Sequence, residues 1–513
     1  MRESTRSVSA LQSLPPEITA WDQVFLAFAS LPELQRTDVT FRVDRGCSGD
    51  REYCVSVPWD AANYSRVAPA LWGYLAYFLY NRLVTDGGKA IHVSCNYPDR
   101  SGLIVEQLLH AFNTRLRRMR FYCNFGDSIP IYHGRLVTTN ALENRGPLAL
   151  VFDPSRGCAL GIDIGGTSIK LALLKKGRRI CQNVAPVDRS HGGQAIVNQV
   201  EALATGLMQG FAKQHVGKDP LAGIGVGVAG VLKGQQIVRA TNFERHWAEE
   251  RHLSVMPWEL GPDLFPSDYT ALNELPRRLS SRFGIRNVAL INDADAFGFQ
   301  EVVCQPNDHT GTVILLTLGT GVGYVKVVDG VIQDLPHQGG HMIVNLQQLV
   351  DGTNAPLSDP GCGHYGCIAA HASATALTQR LQSAFAAAPP SVALVNEVLS
   401  IIRELGSWLA VAVAELAAIV PHLGEVVLAA GLVSGHTGEL ILRYTRKALA
   451  SRFPIVAARV RITLSKTEAL WGGAIGAAQY ANLLAQSAGI PRRPTANLPS
   501  QRQARLVRSR RAA

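Results

Sequence analysis

The feature that most constrains this chain is an apolar strand pattern that repeatedly runs into paired glycines between residues 157 and 485. It first appears as CALGIDIGGTSIKLALLKKG and returns as TVILLTLGTGVGYVKVVDG, with Gly165 and Gly319 lying 154 positions apart. Strands that end in tight turns and alternate with helical segments are typical of α/β units. Because the pattern recurs, the sequence predicts a duplicated α/β fold rather than one Rossmann domain.

The first glycine turn lies in the segment GIDIGGTSIK. Gly165 and Gly166 permit positive φ and a close approach of the backbone to a ligand, and Thr167 adds a hydroxyl donor. Asp163, at the end of the strand, can hold Mg²⁺ through water. An ordinary glycine hairpin explains the same residues, so this turn alone leaves phosphate binding open.

The second glycine turn follows the same plan. A strand delivers Gly319, Thr320 and Gly321 to the turn, and two such turns in one chain indicate two phosphate-facing sites across a cleft. A third segment, VVLAAGLVSG, offers the small residues Ala430 and Gly431 after its strand. A flat adenine ring can lie against the backbone at such a place.

An acidic pair lies between the two glycine turns, in VALINDADAFGFQE. Asp293 ends a strand, and a carboxylate that opens onto a cleft can accept the proton of a hydroxyl that attacks phosphorus. Asn292 can orient neighbouring hydroxyls, because its amide both donates and accepts. Capping of the following helix is the alternative role for the acids. We assign the cap to Asp295 and the chemistry to Asp293.

Seven motifs in one order, DIGGTSIK, GVGVAGV, NDADA, LGTGVG, GGH, GCGHYGC and LAAGLVSG, resemble those of the ROK family of bacterial sugar kinases and sugar-responsive repressors. The resemblance covers about residues 160–485. It implies an α/β fold of two lobes, of the actin/hexokinase (ribonuclease H-like) type, in which ATP, Mg²⁺ and a sugar meet in the cleft. The residues it assigns to ATP and phosphate are Asp163, Gly165, Gly166, Thr167, Lys170, Gly319, Thr320, Gly321, Ala430 and Gly431. Those it assigns to the sugar are Asn292, Gly230, Gln338 and His341, with Asp293 as the catalytic base.

Two positions depart from the family's sugar-binding pattern. The family carries Glu-x-Gly-His and, later, Cys-x-Cys-Gly-x-x-Gly-Cys-x-Glu, whose two glutamates hold the sugar. This chain has QGGH and PGCGHYGCIA, so Gln338 and Ala369 stand in place of the glutamates. We therefore expect a weakened grip on the sugar hydroxyls and an altered acceptor.

The same segment contains candidate ligands for a zinc ion. His341, Cys362 and Cys367 match three of the family's four zinc ligands, while Pro360 replaces the other cysteine. Tetrahedral zinc needs a fourth ligand, which His364, Asp359 or His371 can supply. The alternative is a reduced pair of thiols in a glycine-rich loop, and the sequence leaves the two open.

The expected domain organisation has four parts. Residues 1–155 alternate strands and helices, with a long helix from Val67 to Val84, and form an accessory α/β or α+β domain of unknown role. Residues 157–295 form kinase lobe I, which a C-terminal helix at 468–486 joins, and residues 296–467 form lobe II. Residues 487–513 hold seven arginines and no acidic residue. We expect this basic tail to be disordered, either merely solvated or weakly binding anions or a partner.

Composition limits the setting in which the protein acts. Nine cysteines, an odd number without framework spacing, fit a reducing compartment. No apolar run reaches the roughly 18 residues of a membrane span, and the start lacks the apolar stretch of a signal peptide. We expect a cytoplasmic homodimer that does not bind membranes. The net charge of +10 is largely local to the tail, so nucleic acid is not expected as a partner.

Three functions follow from these features. An ATP-dependent kinase acting on a sugar or sugar-like hydroxyl explains the two intact glycine turns and Asp293. A repressor of the same family would carry an N-terminal helix-turn-helix, whereas residues 1–155 are rich in strands. A non-catalytic binding protein would explain Gln338 and Ala369. We take the kinase as the leading hypothesis.

Overall fold

The computed structural model describes residues 36–44, 51–58, 64–88, 90–95, 131–133, 157–188, 192–214, 221–240, 267–303, 311–333, 338–345, 366–387 and 391–488, together with Glu106 and Asp153. Within these ranges no helix is long and apolar enough to cross a membrane. The cysteines that fall in these ranges are free thiols. The basic tail lies outside the described residues.

The N-terminal unit is a four-stranded sheet with one long helix. Its elements are β1 (Arg36–Asp44), β2 (Arg51–Pro58), α1 (Tyr64–Asp86), β3 (Ala90–Cys95) and β4 (Ile131–His133). The sheet order is β2-β1-β3-β4, with β1 antiparallel to both neighbours and β3 parallel to β4. The strands and the long helix predicted up to residue 95 are confirmed. Of residues 96–130 the structure describes only Glu106.

The first lobe follows, built on a five-stranded sheet. Its elements are β5 (Cys158–Ile164), β6 (Ser168–Lys175), β7 (Arg178–Pro186), α2 (Gly192–Gln214), β8 (Leu221–Val228), β9 (Val231–Lys233), β10 (Gln236–Arg239), α3 (Leu275–Phe283), β11 (Val288–Asn292) and α4 (Asp293–Gly298). The sheet order is β11-β8-β5-β6-β7, while β9 and β10 form a separate hairpin. Every residue of the central strand β5 is buried, whereas the edge strand β7 alternates between exposed and partly buried residues.

The second lobe repeats this plan. Its elements are β12 (Thr312–Leu318), β13 (Val322–Val328), β14 (Val331–Ile332), α5 (Ile368–Ala372), α6 (Ala374–Ala387), α7 (Val392–Ile419), β15 (Leu423–Ala429), α8 (Gly435–Arg452), α9 (Pro454–Arg459) and β16 (Arg461–Leu464). The order β14-β13-β12-β15-β16 has the same connectivity as the first sheet. In both sheets three antiparallel strands are followed by two that run parallel to the first. This duplicated topology is the two-lobed actin/hexokinase (ribonuclease H-like) fold, as the sequence predicted.

The N-terminal unit shares its hydrophobic core with the second lobe. Phe41 of β1 and Leu79 of α1 belong to the same buried cluster as Leu316 of β12 and Leu409 of α7. The first lobe has a separate core. The N-terminal unit is thus packed onto the second lobe through a continuous apolar interior, which is the main favourable contribution to such an association.

The last helix, α10 (Gly472–Ala488), packs against the first sheet. Two glycines of that sheet allow the contact. A Cβ atom on Gly161 would lie 1.7 Å from the carbonyl oxygen of Ala474, and one on Gly225 would lie 1.8 Å from that of Ala477. Backbone of the helix therefore lies directly on backbone of the sheet, at positions where no other residue fits.

Glu301 joins the two places where the chain crosses between the lobes. It lies in a short helical turn, Phe299–Val303, that follows α4, and its side chain is buried. Its carboxylate accepts hydrogen bonds from the backbone N–H groups of Lys466 (3.0 Å) and Thr467 (2.9 Å) and from the hydroxyl of Ser465 (2.8 Å). The exit from the first lobe is thereby fixed beside the return to α10, and the buried carboxylate has the partners it needs.

We predict that Gly161→Ala and Gly225→Ala each lower the free energy of unfolding by about 3 kcal/mol or more, since the clash is with backbone that cannot rotate away. Gly206→Ala and Gly210→Ala are matched controls, because both glycines lie in α2 and a Cβ atom added to either would meet no atom within 4 Å. The controls should be neutral or should stabilise the protein by about 0.5 to 1 kcal/mol. Urea denaturation followed by circular dichroism measures both pairs. Equal effects in the two pairs would disprove the close packing.

Candidate active site

The carboxyl ends of three parallel strands in the first sheet bring the predicted catalytic residues together. Strands β5, β8 and β11 are parallel neighbours, and the register pairs Ile164 with Val228 and Val228 with Asn292. Asp163 at the end of β5 and Asp293 just beyond β11 therefore lie at one edge of the sheet. This is the edge at which open α/β sheets bind their ligands.

Asn292 organises the turn from β11 into α4. Its side-chain oxygen accepts hydrogen bonds from the backbone N–H groups of Ala294 (2.9 Å) and Asp295 (3.2 Å), and its amide nitrogen donates to the carbonyl of Gly230 at 2.8 Å. Asn292 is thus the N-cap of α4, a role that asparagine fills well. The assignment of the cap to Asp295 was wrong, because the cap residue must precede the first helical residue, which is Asp293. One amide hydrogen of Asn292 remains for a ligand.

Asp293 is the first residue of α4, and the protein shifts its acidity towards neutral pH. Burial, and then the charge of the neighbouring Asp163 carboxylate, raise the pKa of Asp293 from 3.8 to about 6, although the residue keeps some exposure. The backbone N–H of Ala294 and the charge of Lys170 act in the opposite direction. A carboxylate with these properties can serve as a general base near neutral pH.

Asp163 and Lys170 form an ion pair beside the first glycine turn. The Lys170 ammonium donates to the Asp163 carboxylate at 2.9 Å, and both side chains are largely buried. The turn between β5 and β6 is closed by a hydrogen bond from the Gly165 N–H to the carbonyl of Ser168 (3.0 Å), and Thr167 is exposed at its tip. The Lys170 ammonium thus lies near both the Asp163 and the Asp293 carboxylates, and its charge limits the repulsion between them.

The corresponding edge of the second sheet brings together the other predicted nucleotide residues. Strands β12 and β15 are parallel neighbours, with Thr317 opposite Ala429. The turn that begins at Gly319 and the segment that begins at Ala430 therefore leave the sheet side by side. A Cβ atom added to Gly319, Gly321 or Gly431 would meet almost nothing within 4 Å. The backbone at these glycines is open to a ligand.

The second glycine turn is supported from below by α6. The backbone N–H of Ala374 donates to the carbonyl of Gly319 at 2.8 Å, and the hydroxyl of Thr375 donates to the carbonyl of Thr320 at 2.7 Å. Ala430 adopts positive φ (73°), which is rare for a residue with a side chain. The strained backbone turns the chain sharply into the exposed Gly431.

Helix α4 connects the two edges. A Cβ atom on Gly323, at the start of β13, would lie 2.7 Å from the Cβ of Ala294, and one on Gly298 would lie 2.8 Å from the Cγ1 of Val325. The helix that begins with Asp293 therefore packs against the strand that leaves the second glycine turn. The two lobes meet at the candidate catalytic residue.

The segment QGGH, residues 338–341, lies between β13 and α1 and contains a short 3₁₀ turn, Gly339–His341. The backbone N–H of Gln338 donates to the carbonyl of Val84 at 2.8 Å. The Gln338 and His341 side chains are partly exposed, whereas Ala369 in α5 is fully buried in the core of the second lobe. Of the two departures predicted from the sequence, Ala369 is thus enclosed by packing, and Gln338 is the accessible one.

The described residues do not form a zinc site. Within them no group of three or more His, Cys, Asp or Glu side chains is arranged to hold a metal ion. Cys367 is fully buried, and its backbone forms an isolated bridge with Ile343. His371 stacks on Trp408 at 4.3 Å, and burial lowers its pKa to about 4. Cys362 and the other candidate ligands Asp359 and His364 lie outside the described residues.

Gly473 received no role from the sequence, and the structure places it at the catalytic edge. A Cβ atom on Gly473 would lie 2.9 Å from the Asp163 carboxylate, so only glycine leaves room for that side chain. Gly473 is the second glycine of the WGGAIGAA segment, where α10 begins. The sequence did contain a signal for this role. Glycine is unfavourable inside helices, so a pair of glycines in the first turn of a helix indicates that something packs closely there.

We predict that Asp293→Asn stabilises the fold at pH 8. A raised carboxyl pKa means that the folded protein binds this proton more tightly than the unfolded chain, so stability falls as the pH rises from about 4 to about 6. Removing the charge should raise the free energy of unfolding at pH 8 by about 1 to 2 kcal/mol, less than the full shift because the residue is partly exposed, and by much less at pH 4.

Chemical denaturation at the two pH values measures this difference, with Asp295→Asn as a control that removes an acid from the same helical turn. If Asp293→Asn were no more stable than the natural protein at pH 8, the ionised carboxylate of Asp293 would not destabilise the folded protein.

Comparison with known proteins supports the resemblance. Curated relatives include a glucokinase from Halalkalibacterium halodurans (27% identical over 221 residues, 43% of this chain and 58% of the relative) and an N-acetyl-D-glucosamine kinase from Citrobacter koseri (29% over 216 residues, 40% and 60%). The chain therefore spans about three fifths of the length of these relatives.

Similar solved structures include a ROK family glucokinase from Streptomyces griseus in complex with glucose and AMPPNP (21% identical, TM-score 0.46, covering 63% of this chain and 99% of that one). Another is a ROK family transcriptional regulator, a homologue of the E. coli Mlc protein (14%, TM-score 0.47, 64% and 80%). The ROK family model matches residues 267–483, from the 3₁₀ turn before α3 to within α10. Over this region the chain is similar to the ROK family, in agreement with the resemblance of its motifs.

Proposed function

We propose that this protein is an ATP-dependent kinase that phosphorylates a hydroxyl of a sugar or a sugar-like acceptor. The observation that carries the proposal is the position of Asp293. This carboxylate, with its pKa raised to about 6, lies near Asp163 and Lys170 and begins the helix that packs against the strand leaving the second glycine turn. The named activities of the curated relatives, glucokinase and N-acetyl-D-glucosamine kinase, agree with a sugar as acceptor. The proposal extends to the whole protein an activity known for relatives that it matches only in part.

Asp293 is the general base of the proposed reaction. Phosphoryl transfer depends mainly on positioning and on electrostatic stabilisation, so a base need only accept the hydroxyl proton as the oxygen attacks phosphorus. A pKa of about 6 leaves Asp293 ionised at neutral pH while keeping it a better proton acceptor than an ordinary aspartate. The Asn292 cap holds the base at the helix start, and the remaining amide hydrogen of Asn292 is available to an acceptor oxygen.

The two glycine turns are the proposed phosphate sites. The open backbone at Gly319 and Gly321 and the exposed hydroxyl of Thr167 suit phosphate oxygens, and the open Gly431 suits the adenine. Bound ATP supplies the phosphoryl group, and Mg²⁺ offsets its charge. Asp163 is the candidate carboxylate for that ion, while Lys170 offers a cation to the phosphates. Zinc has no part in the proposal.

The repressor hypothesis is disfavoured by the N-terminal unit. Its described residues form a four-stranded sheet and a helix that share a core with the second lobe, instead of a free recognition helix. A gel-shift titration at about 150 mM salt distinguishes the two functions. Tight, sequence-selective retention of DNA by the full chain would favour a repressor. A homodimer and a cytoplasmic location remain predictions from the sequence.

We predict that Asp293→Asn lowers turnover by about 10² to 10⁴ while nucleotide binding is retained, because the amide fills the same space but cannot accept the proton. In the natural protein, kcat/KM should fall tenfold per pH unit below about pH 6, where Asp293 of the free enzyme becomes protonated. ADP release in a coupled assay measures turnover. Asp295→Asn, in the same helical turn, should stay within about threefold of the natural protein. Natural turnover by Asp293→Asn with the best acceptor would refute the assignment.

We also predict that the protein phosphorylates glucose poorly and that Gln338→Glu improves it. A carboxylate accepts charge-assisted hydrogen bonds from sugar hydroxyls, whereas the Gln338 amide offers one neutral acceptor. The kcat/KM for glucose should rise about tenfold in Gln338→Glu. Gln379→Glu, the same change on an exposed face of α6, should have no effect.

The substrates to be compared are glucose, N-acetylglucosamine, N-acetylmannosamine and fructose, together with deoxy and carbocyclic analogues. Efficient phosphorylation of glucose by the natural protein, at a kcat/KM of about 10⁵ M⁻¹s⁻¹ or above, would show that other residues replace the missing glutamates.

A further inference from the structure

We propose that the N-terminal unit positions the acceptor-binding segment of the kinase site, with Asn81 of helix α1 as the positioning residue. The segment, residues 338–343 (QGGHMI), carries Gln338 and His341 towards the acceptor. The inference rests on the proposed function for the identity of the ligand. Its structural part, that α1 holds this segment in place, stands on contacts alone.

Helix α1 binds the segment at both ends. The side-chain amide of Asn81 donates to the carbonyl of Ile343 and accepts from the N–H of Ile343, each at 2.8 Å. Three residues later, the carbonyl of Val84 accepts from the N–H of Gln338 at 2.8 Å. Val84 is in the last turn of α1, where carbonyl groups lack partners within the helix. The segment therefore provides an N–H donor for a carbonyl at the end of the helix. In return, the Asn81 side chain provides hydrogen-bond partners for the backbone of Ile343, as a neighbouring strand would.

The opposite side of the segment lies flat on strand β13. A Cβ atom on Gly340 would lie 1.8 Å from the carbonyl oxygen of Val322, and one on Gly339 would lie 2.3 Å from the ring of Tyr324. The two glycines are needed for this approach, because any side chain would push the segment off the strand. The segment is thus enclosed between α1 and β13.

A buried ion pair closes the third side of this arrangement. Asp86, the last residue of α1, pairs with Lys326 of β13, and both side chains are almost completely buried. Arg51 of β2 pairs with the second oxygen of Asp86 at 2.7 Å. Burial, and then the charge of Asp86, raise the pKa of the Tyr324 phenol well above its usual value. Helix, segment and strand are therefore each in contact with the other two.

This closed set of contacts explains how a segment without regular secondary structure holds a fixed shape. Apart from the short 3₁₀ turn and the bridge at Ile343, residues 338–343 rely on partners in α1, β13 and residues 366–368. Loss of the Asn81 amide leaves a buried N–H and a buried carbonyl at Ile343 without their partners, which weakens the bound geometry of the segment. A displaced segment weakens acceptor binding more than it affects Asp293 or the glycine turns, which lie on other elements.

The test compares three full-length variants by hydrogen exchange and by kinetics. Asn81→Ala removes both hydrogen bonds, and Asn81→Leu removes them with a side chain of the same branched shape, so that no cavity is left. Thr445→Val is the matched control, because it removes a fully buried hydroxyl from α8 of the same lobe, where Thr445 bonds to the carbonyl of Ile441.

We expect exchange at 338–343 to rise at least tenfold in both Asn81 variants and less than twofold in Thr445→Val, with β12 protected in all three. The KM for the best of glucose, N-acetylglucosamine, N-acetylmannosamine and fructose should rise about five- to tenfold. The kcat and the KM for ATP should change less than twofold.

Equal exchange in the Asn81 variants and in Thr445→Val would overturn the positioning role. So would a loss confined to kcat. If the natural protein phosphorylates none of these sugars, the proposed function fails on its own, while the exchange data still decide whether Asn81 fixes the segment.

Discussion

The hydrogen bonds of a single amide, Asn292, determine where the candidate catalytic group lies. The side chain fixes the end of β11 to Gly230, which follows the neighbouring strand β8, and caps α4 at the same time. Asp293 is the next residue, so its direction is set by the capped turn. Two functions that are usually separate, joining adjacent strand ends and starting a helix, here depend on one residue.

The chemistry of Asp293 follows from that position. A carboxylate at a helix start is normally stabilised in its charged form, and the N–H of Ala294 acts in this way. Burial and the charge of Asp163 outweigh this contribution, and Lys170 offsets only part of it. Asp163 itself has room because Gly473 at the start of α10 has no side chain. The acidity of one residue thus depends on elements from both ends of the fold.

Much of the fold and of the site was predictable from the sequence. The glycine turns recur because each sheet delivers a strand end to the cleft, and the Gly165 and Gly319 regions lie at such ends, as expected. The cap was mispredicted because Asn292, Asp293 and Asp295 are all suitable residue types, and only the backbone shows which one precedes the helix. The contact of Asn81 with Ile343 joins positions 262 apart, and no local pattern could indicate it.

The same limit applies to the N-terminal unit as a whole. Its strands and long helix were predicted from apolar runs separated by turn residues, because such runs indicate buried elements. They do not indicate what buries those elements. Residues such as Phe41 and Leu79 pack into one cluster with the second lobe, so a unit that was predicted as an accessory domain completes the core of its neighbour.

The two lobes are joined by polar bonds at the chain crossings and by close packing at the candidate site. Both kinds of contact fix the distance between the two lobes. Near the chain crossings, Glu301 binds the segment 465–467 through polar bonds to a buried carboxylate. At the candidate site, two glycines let the lobes approach closely, Gly323 against Ala294 and Gly298 against the side chain of Val325. So close an approach leaves little free space in which a displacement could be absorbed. The spacing between the second glycine turn and Asp293 therefore depends on this packing, and added bulk at Gly323 or Gly298 would move the turn away from Asp293.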